Sequence, residues 1–459
     1  MIQASPSHCD TLVIGAGVSG LSAAYQLHQA GKAVRVIEAS PHAGGLIRSH
    51  WEAGFLTEAG PNTFPSTATE ILDLCEQLRL EPQATHPNAK KRYLYLNGKL
   101  TALPGHPLQA VTTPALSLFG KLRALQEPFQ PRTRTNDISV ADFLENRVGK
   151  EVVERLADPF ISGIYAGNVA ELSLPAVFPK LWQWEQSAGG LLKGARQAKR
   201  ASRHSNTPKK PMQLLSFAGG LESFISALVN ALPEGTCHFG HSVTQVEVTE
   251  TGYQVQLHTG ELLTCHHVII ATPAYTAARL IHSLSESGSN ALQNIPYNGL
   301  AVVHLGFNKA DIPHPLDGFG CLIPRREKLP LLGTIWASSL FPNRAPEGQV
   351  LLSNFIGGAH HPEIVGWPPA KIEQLVLRNL QTVFKIPEPI QPTYSQALIY
   401  DKAIPQYSLG HLNRIQTIEA ELQKNPHLHL CGNYLHGIAL NECVKSGLAA
   451  ANAIIDPLK

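Results

Sequence analysis

Gly15, Gly17 and Gly20 follow an apolar run from Thr11 to Ile14 and precede Leu21, Ala24 and Tyr25 at helical spacing. That order reads as strand, tight turn and helix. Gly15 permits the turn, Gly17 lets the main chain approach a pyrophosphate, and Gly20 lets the helix pack on its strand. Ala16, Val18 and Ser19 complete a loop whose amides would meet phosphates at the positive end of the helix. Gly31 is expected to end the helix and 33–37 to form a second strand. Glu38 then stands where a carboxylate accepts both ribose hydroxyls, with Ala39 beside it, and an acid there disfavours a 2′-phosphate. The chemistry implied is dinucleotide binding.

A second loop, Gly44-Gly45-Leu46-Ile47-Arg48-Ser49, follows closely. Two close-approach loops suit a longer, folded-back dinucleotide, so the reading is FAD rather than NAD. Arg48 either faces the phosphates or is a solvated loop arginine. Glu58-Ala59-Gly60-Pro61-Asn62-Thr63 is a further loop rich in turn formers, expected to pass the flavin ring. At the far end of the chain, 428–430 reads as a strand leading through Gly432 and Asn433 to Ile438, Ala439 and Leu440. The helix expected next keeps Leu440, Cys443, Val444, Gly447, Leu448 and Ala451 on one face. Its N-terminus would favour the anion formed when a flavin is reduced.

The elements between must position these loops. With 43% apolar residues in 459, the chain can bury a large core and divides into two or three units. A net charge of +2 does not point to nucleic acid. Seven cysteines without CxxC pairs read as reduced thiols with no structural metal. No apolar run is long enough to span a bilayer, and the first ten residues do not resemble a targeting peptide. A cytoplasmic protein is expected, with peripheral attachment to the cytoplasmic membrane left open. Hairpin strands are predicted at 242–248 and 253–257, and Val268 to Ala271 as a strand returning to the nucleotide sheet. Runs at 300–307, 333–338 and 350–356 suit an antiparallel sheet over the flavin. The stretch 104–205 is helical in pattern, with Ser139 as a cap.

Charge is lopsided there. No acid occurs from Pro82 to Gln126, against six Lys or Arg, and seven Lys or Arg lie between Lys193 and Lys210. Two readings stand: a solvated basic loop, or docking on anionic lipid aided by apolar helices around Leu116 to Leu122.

Gly54 to Asn62, Pro159 to Gly167 and Ser339 to Pro346 together resemble the plant and bacterial oxygen-dependent protoporphyrinogen oxidases, and the likeness runs nearly end to end. The first motif is shared with amine oxidases and carotene desaturases; the other two are distinctive. The resemblance implies an α/β fold with a discontinuous Rossmann-like FAD-binding domain, an α+β substrate domain and a helical membrane-docking domain. It divides the chain into 1–85, 206–294 and 421–459 for FAD, 86–103 and 295–420 for substrate, and 104–205 for docking. It implies six-electron oxidation of protoporphyrinogen IX to protoporphyrin IX, with dioxygen reduced to peroxide, in haem or chlorophyll biosynthesis, and one non-covalent FAD per chain. A homodimer is compatible with it.

Residue by residue, the resemblance makes Arg92 the partner of a propionate, and a guanidinium does bind carboxylate in bidentate fashion. It makes Leu322, Ile335 and Phe355 the apolar residues that sandwich the macrocycle, and Gly167 a main-chain acceptor for a pyrrole N–H. Val243 matches the main chain beside the adenine, and Ile438, Ala439 and Leu440 the turn at the flavin ring. No general base is assigned. Two alternatives remain: a coproporphyrinogen III oxidase, whose four-carboxylate substrate needs more cations, and a non-catalytic flavoprotein that carries porphyrin. Cys431-Gly432-Asn433-Tyr434 lacks the acidic residue and cysteinyl attachment pattern of many flavin amine oxidases.

Overall fold

The computed structural model describes residues 7–103, 113–203, 212–387 and 390–456. Along the chain the elements that build the site are β1 (Ser7–Ile14), α1 (Val18–Gln29), β2 (Val34–Glu38), β3 (Phe55–Glu58), β4 (Tyr93–Leu96), β5 (Lys99–Ala102), α2 (Leu118–Leu125), α3 (Val140–Val148), α4 (Asp158–Tyr165), α5 (Pro179–Ala188) and α6 (Leu191–Arg203). They continue with β6 (Cys237–Phe239), β7 (Val243–Thr249), β8 (Gly252–Leu257), β9 (Leu262–Ile270), α7 (Ala274–Ile281), β10 (Tyr297–Asn308), β11 (Gly320–Leu322), β12 (Leu331–Trp336), β13 (Gln349–Gly357), β14 (Tyr394–Pro405), β15 (Leu428–Leu430) and α8 (Leu440–Ile455).

The first sheet runs β6-β2-β1-β9-β8-β7, and β15 joins the second half of β9. Its β6, β2, β1, β9 and β15 pairings are parallel, and β7 and β8 close it as an antiparallel hairpin. Val13, Val36 and Ile269 project to one face, against Leu21 and Leu27 of α1. Leu12, Ile14, Ile37, Val268 and Ile270 project to the other, with Ala277 and Ile281 of α7. Covering both faces explains why these strands read as unbroken apolar runs. β1 begins at Ser7, earlier than the apolar run indicates, because Ser7 to Cys9 still pair with Leu263 to Cys265. α8 lies on α1, where the position a Cβ on Gly447 would take is 2.0 Å from the Ser19 carbonyl oxygen. That contact fastens the end of the chain to its beginning.

The second sheet runs β14-β10-β13-β12-β11-β4-β5, antiparallel except where β4 meets β11. The predicted strands fall within it, with one difference. β12 ends at Trp336, and 337–340 turns into a short helix in which the Ser338 hydroxyl accepts the Leu351 amide at 3.0 Å.

Between the sheets' contributions lies a helical lobe. The Ser139 hydroxyl accepts the Asp142 amide at 3.0 Å and caps α3, as its sequence position indicates. Its core holds a group no periodicity reveals. Arg147, 1% exposed, donates to the carbonyls of Gln130 and Gly189 and lies 3.3 Å from Glu185 and 3.7 Å from Glu127. Glu127 in turn accepts the amides of Leu191 and Leu192 at the start of α6. On the outside of the lobe, Leu118, Phe119, Leu122 and Leu125 of α2 are exposed, Phe119 by 86%. α6 carries the first half of the basic run; 204–210, with Lys209 and Lys210, lie outside the described residues. No described helix is long and apolar enough to cross a membrane.

Replacing Arg147 with Met would leave Glu127 and Glu185 buried without their cation. The expected loss is about 3–5 kcal/mol of unfolding free energy, measured by urea denaturation; an unchanged midpoint would show that the ion cluster does not hold the lobe together.

Candidate functional site

One cavity of about 780 Å³ begins at the C-terminal edge of the parallel strands and ends against the second sheet. Ligands of open α/β sheets bind at that edge. Gly15, at φ +110°, takes the turn; its amide donates to the Ile37 carbonyl at 2.8 Å. α1 then starts with Gly17 as N-cap, with no side-chain cap and no acid in its first turn, so its free amides face the cavity beside Val18 and Ser19. The cradle fits a diphosphate: a Cβ on Gly17 would meet no atom within 4 Å and would point into open space.

Glu38 does two things at once. Its Oε2 accepts the Ala16 amide at 2.7 Å and its Oε1 the Ser40 amide at 2.8 Å, which fixes the carboxylate at the cavity wall. Each oxygen keeps a further lone pair for a ribose hydroxyl. The loop of Gly44 to Leu46 lies over the first, with a main-chain bridge between Gly17 and Gly44 and a 2.8 Å bond from the Gly44 amide to the Ala16 carbonyl. Gly45, Leu46, Gly60, Pro61, Asn62, Thr63, Val243, Gly432, Ile438 and Leu440 also wall the cavity. α8 offers a weaker positive end than α1, because Glu442 occupies its first turn. Cys443 reaches the wall too, and burial pushes its thiol up to about 12, so it stays protonated.

Beyond the loops the cavity becomes an apolar chamber. Leu300 and Val302 of β10, Leu332 and Ile335 of β12 and Phe355 of β13 form one wall, and Ser162, Gly163 and Ile164 of α4 another. α4 stops at Ala166, which is left-handed at φ +47°; its carbonyl accepts the Asn298 side chain at 2.9 Å and the Ala359 amide at 2.8 Å. Those bonds set the helix end against the sheet.

Seven of the predicted residues are not part of the wall. The Ala16 side chain is fully buried, and Gly20 packs on Gly15, whose carbonyl oxygen would lie 2.0 Å from its Cβ. Ala439 is the N-cap of α8, between two lining neighbours. Arg48 is exposed; its carbonyl accepts the Ala59 amide, and its charge partly offsets the rise that burial imposes on the Tyr400 phenol at the chamber edge. Leu322 stands one layer back, its Cδ2 2.6 Å from where a Cβ on Gly163 would be. Gly167 is buried behind Tyr165, Leu172 and Gln406 rather than at the chamber, and Ala166 takes its place in the wall. Arg92 stacks over Phe319 at 4.8 Å, and Phe319 packs in the same apolar cluster as Ile335. Desolvation lowers its guanidinium pKa.

The cavity also has walls that sequence reasoning passed over: His241 beside Val243, Thr272 and Thr276 at the start of α7, and Tyr400. Thr272 follows a strand of the nucleotide sheet directly, a position that could have marked it.

A profile of the flavin containing amine oxidoreductase family matches residues 18–455. The chain belongs to that family and is a flavin-dependent oxidoreductase. Within it, the chain is 32% identical to the chloroplastic protoporphyrinogen oxidase of Nicotiana tabacum, over 97% of this chain and 85% of that one. It is 30% identical to the coproporphyrinogen III oxidase of Bacillus subtilis (strain 168), over 96% and 97%. Among solved structures, a provisionally assigned protoporphyrinogen oxidase from Exiguobacterium sp. 255-15 superposes with a TM-score of 0.83 at 23% identity, over 98% and 99%. The cyclohexylamine oxidase of Brevibacterium oxydans IH-35A does so at 0.69 and 18%, over 98% and 99%. These two likenesses concern the fold.

A Gly17→Val variant separates fold from cofactor. Its side chain meets only the cavity, so the unfolding midpoint of the flavin-free protein should stay put while the purified variant loses its yellow colour. Full flavin content would show that the phosphates lie elsewhere.

Proposed function

We propose that the protein oxidises protoporphyrinogen IX to protoporphyrin IX in porphyrin biosynthesis, with one non-covalently bound FAD per chain and dioxygen as the final acceptor. The observation that carries the reading is the continuity of the cavity, from a diphosphate cradle at Gly17 to an apolar chamber at Ile335 and Phe355. A macrocycle in that chamber presses directly on the ring end of a dinucleotide lying in the cradle. The flavin supplies the two-electron redox chemistry. The chain's own residues hold, orient and dry the substrate.

Apolar walls favour a flat tetrapyrrole and exclude water, and holding a bridging methylene against the flavin supplies most of what the reaction needs. Ile335 and Phe355 are the wall residues of that contact, with Leu322 behind them. Arg92, stacked on Phe319 next to Ile335, is one side chain from the chamber and within the reach of a propionate arm. Gly167 lies outside the chamber wall, and the Ala166 carbonyl in its place already accepts from Asn298 and Ala359, so neither takes the pyrrole N–H. Removal of six hydrogens takes three rounds. The protonated Cys443 thiol supports non-covalent attachment.

The same reading assigns 1–85, 206–294 and 421–459 to FAD binding, 86–103 and 295–420 to substrate, and 104–205 to docking. Exposed Phe119 and its neighbours, on the same lobe as the basic α6, support peripheral contact with an anionic membrane from the cytoplasmic side. A second reading, oxidation of coproporphyrinogen III, is favoured by the Bacillus subtilis relative.

The test is to give the purified yellow protein each porphyrinogen separately in air. Porphyrin fluorescence should rise with protoporphyrinogen IX at least ~10-fold faster than with coproporphyrinogen III, a difference of about 1.4 kcal/mol. The reverse order would make it a coproporphyrinogen oxidase, and silence with both would refute oxidase activity on porphyrinogens.

A further inference from the structure

β10 and β13 pair so that Val302 lies opposite Phe355 and His304 opposite Ser353. Side chains two apart on a strand share a face, so both pairs project the same way. Val302 and Phe355 wall the chamber. One step further, His304 and Ser353 are buried, with the ring Nδ1 2.9 Å from the hydroxyl. The face that is apolar at the chamber thus turns polar where no solvent reaches it.

Against this polar step lies a second cavity of about 10 Å³, walled by Glu58, Asn62, Arg344 and Ser353. It has room for about one water. Asn62 walls both cavities. Arg344 is 3% exposed; its Nη2 donates to the Ser216 hydroxyl at 3.2 Å and the Phe217 carbonyl at 3.3 Å, while its Nη1 has no partner within the protein. A buried guanidinium N–H left without a protein acceptor calls for water. Glu58 completes the site: it lies 3.5 Å from Arg344 and accepts the Ser49 hydroxyl at 2.7 Å and the Leu221 amide at 3.0 Å.

We propose that Asn62, a water in the small cavity and Glu58 form a proton path out of the reaction chamber, with Glu58 receiving the proton that the substrate loses. This rests on the porphyrinogen reading above. Taking two hydrogens from the macrocycle breaks a methylene C–H and a pyrrole N–H. A bound flavin would take the C–H hydrogen together with its electron pair, and the N–H electron pair remains as part of a new double bond. The N–H proton crosses the Asn62 wall through the water, and the Glu58 carboxylate becomes a carboxylic acid. Reduction of dioxygen to hydrogen peroxide would consume that hydride and one proton, and Glu58 would supply the proton and return to the carboxylate.

The electrostatics suit an acceptor that must both take and release. Burial pushes the Glu58 carboxyl up to about 7; Arg344, Ser49 and the Leu221 amide pull it down, and Glu222 adds to the rise. His304, the other titratable group against it, is held near 4 by burial and stays neutral. Only the ionised carboxylate accepts, so hydride transfer should speed up as pH rises through the folded-state value.

The experiment follows flavin bleaching by protoporphyrinogen IX without oxygen, as a function of pH, alongside flavin content and unfolding midpoint. The native protein should show a rate inflection near 7. Glu58→Gln should lower the plateau by about 10²-fold and abolish the inflection. Arg344→Gln removes the cation that lowers Glu58, so its inflection should move to higher pH; a purely structural role would scale the rate without moving it. A flat native profile, or an inflection retained in Glu58→Gln, overturns the path. If Glu58→Gln fails to bind flavin, the native and Arg344→Gln profiles decide. No bleaching of the native protein at any pH would sink the porphyrinogen reading, and the path with it.

Discussion

The main chain at Gly17 touches the main chain at Gly44, and the rest of the site hangs from that contact. A Cβ on Gly44 would lie 2.5 Å from the Ile47 carbonyl oxygen, and one on Gly60 would lie 2.5 Å from the Leu46 carbonyl oxygen. Three loops are therefore stacked backbone on backbone, with no side chain between them. The first presents helix amides, the second covers them, and the third runs back into β3 and the buried Glu58. Because the second and third loops meet main chain to main chain, a side chain added at Gly60 would force them apart. Gly447 extends the same logic, pressing α8 onto α1 at the Ser19 carbonyl.

The cavity changes character along its length for a reason rooted in strand pairing. Parallel strands end together, and their open edge exposes amides and helix N-termini, a polar environment suited to anions. The second sheet meets the cavity with its flat face, which carries Val302, Leu332, Ile335 and Phe355. One continuous space thus offers a polar edge suited to anions and an apolar face suited to a flat, greasy molecule. Arg92 sits outside the apolar lining, where its charge remains partly hydrated while its plane rests on Phe319. A guanidinium placed inside the chamber would have faced the full cost of desolvation.

The elements at the nucleotide-sheet end of the cavity were legible in the sequence, and the residues that wall its apolar chamber only unevenly. The glycine fingerprint, Glu38, and the strand and helix at the chain's end are local patterns, and each appears where its spacing indicates. Ile335 and Phe355 line the chamber, but Leu322 and Gly167 lie a layer behind it. A one-residue difference in which neighbour faces inward, Ala166 rather than Gly167, depends on the left-handed turn that ends α4, and residue type does not reveal that turn at an alanine. Arg147 was illegible for another reason: its carboxylates, Glu127 and Glu185, come from separate segments that only tertiary packing joins. His304 and Glu58 were readable in principle. His304 interrupts the apolar run from Leu300 to Phe307, Glu58 ends a strand that is buried along its whole length, and a buried polar residue needs partners.

Direct contact between the flavin and a porphyrinogen in one cavity is tested most directly by a spectral titration of the purified protein with protoporphyrinogen IX under strict exclusion of oxygen. The flavin should bleach in proportion to added substrate, up to three flavins per macrocycle, and recover its colour with peroxide release when air is admitted. A flavin that keeps its colour while porphyrin accumulates would contradict direct transfer.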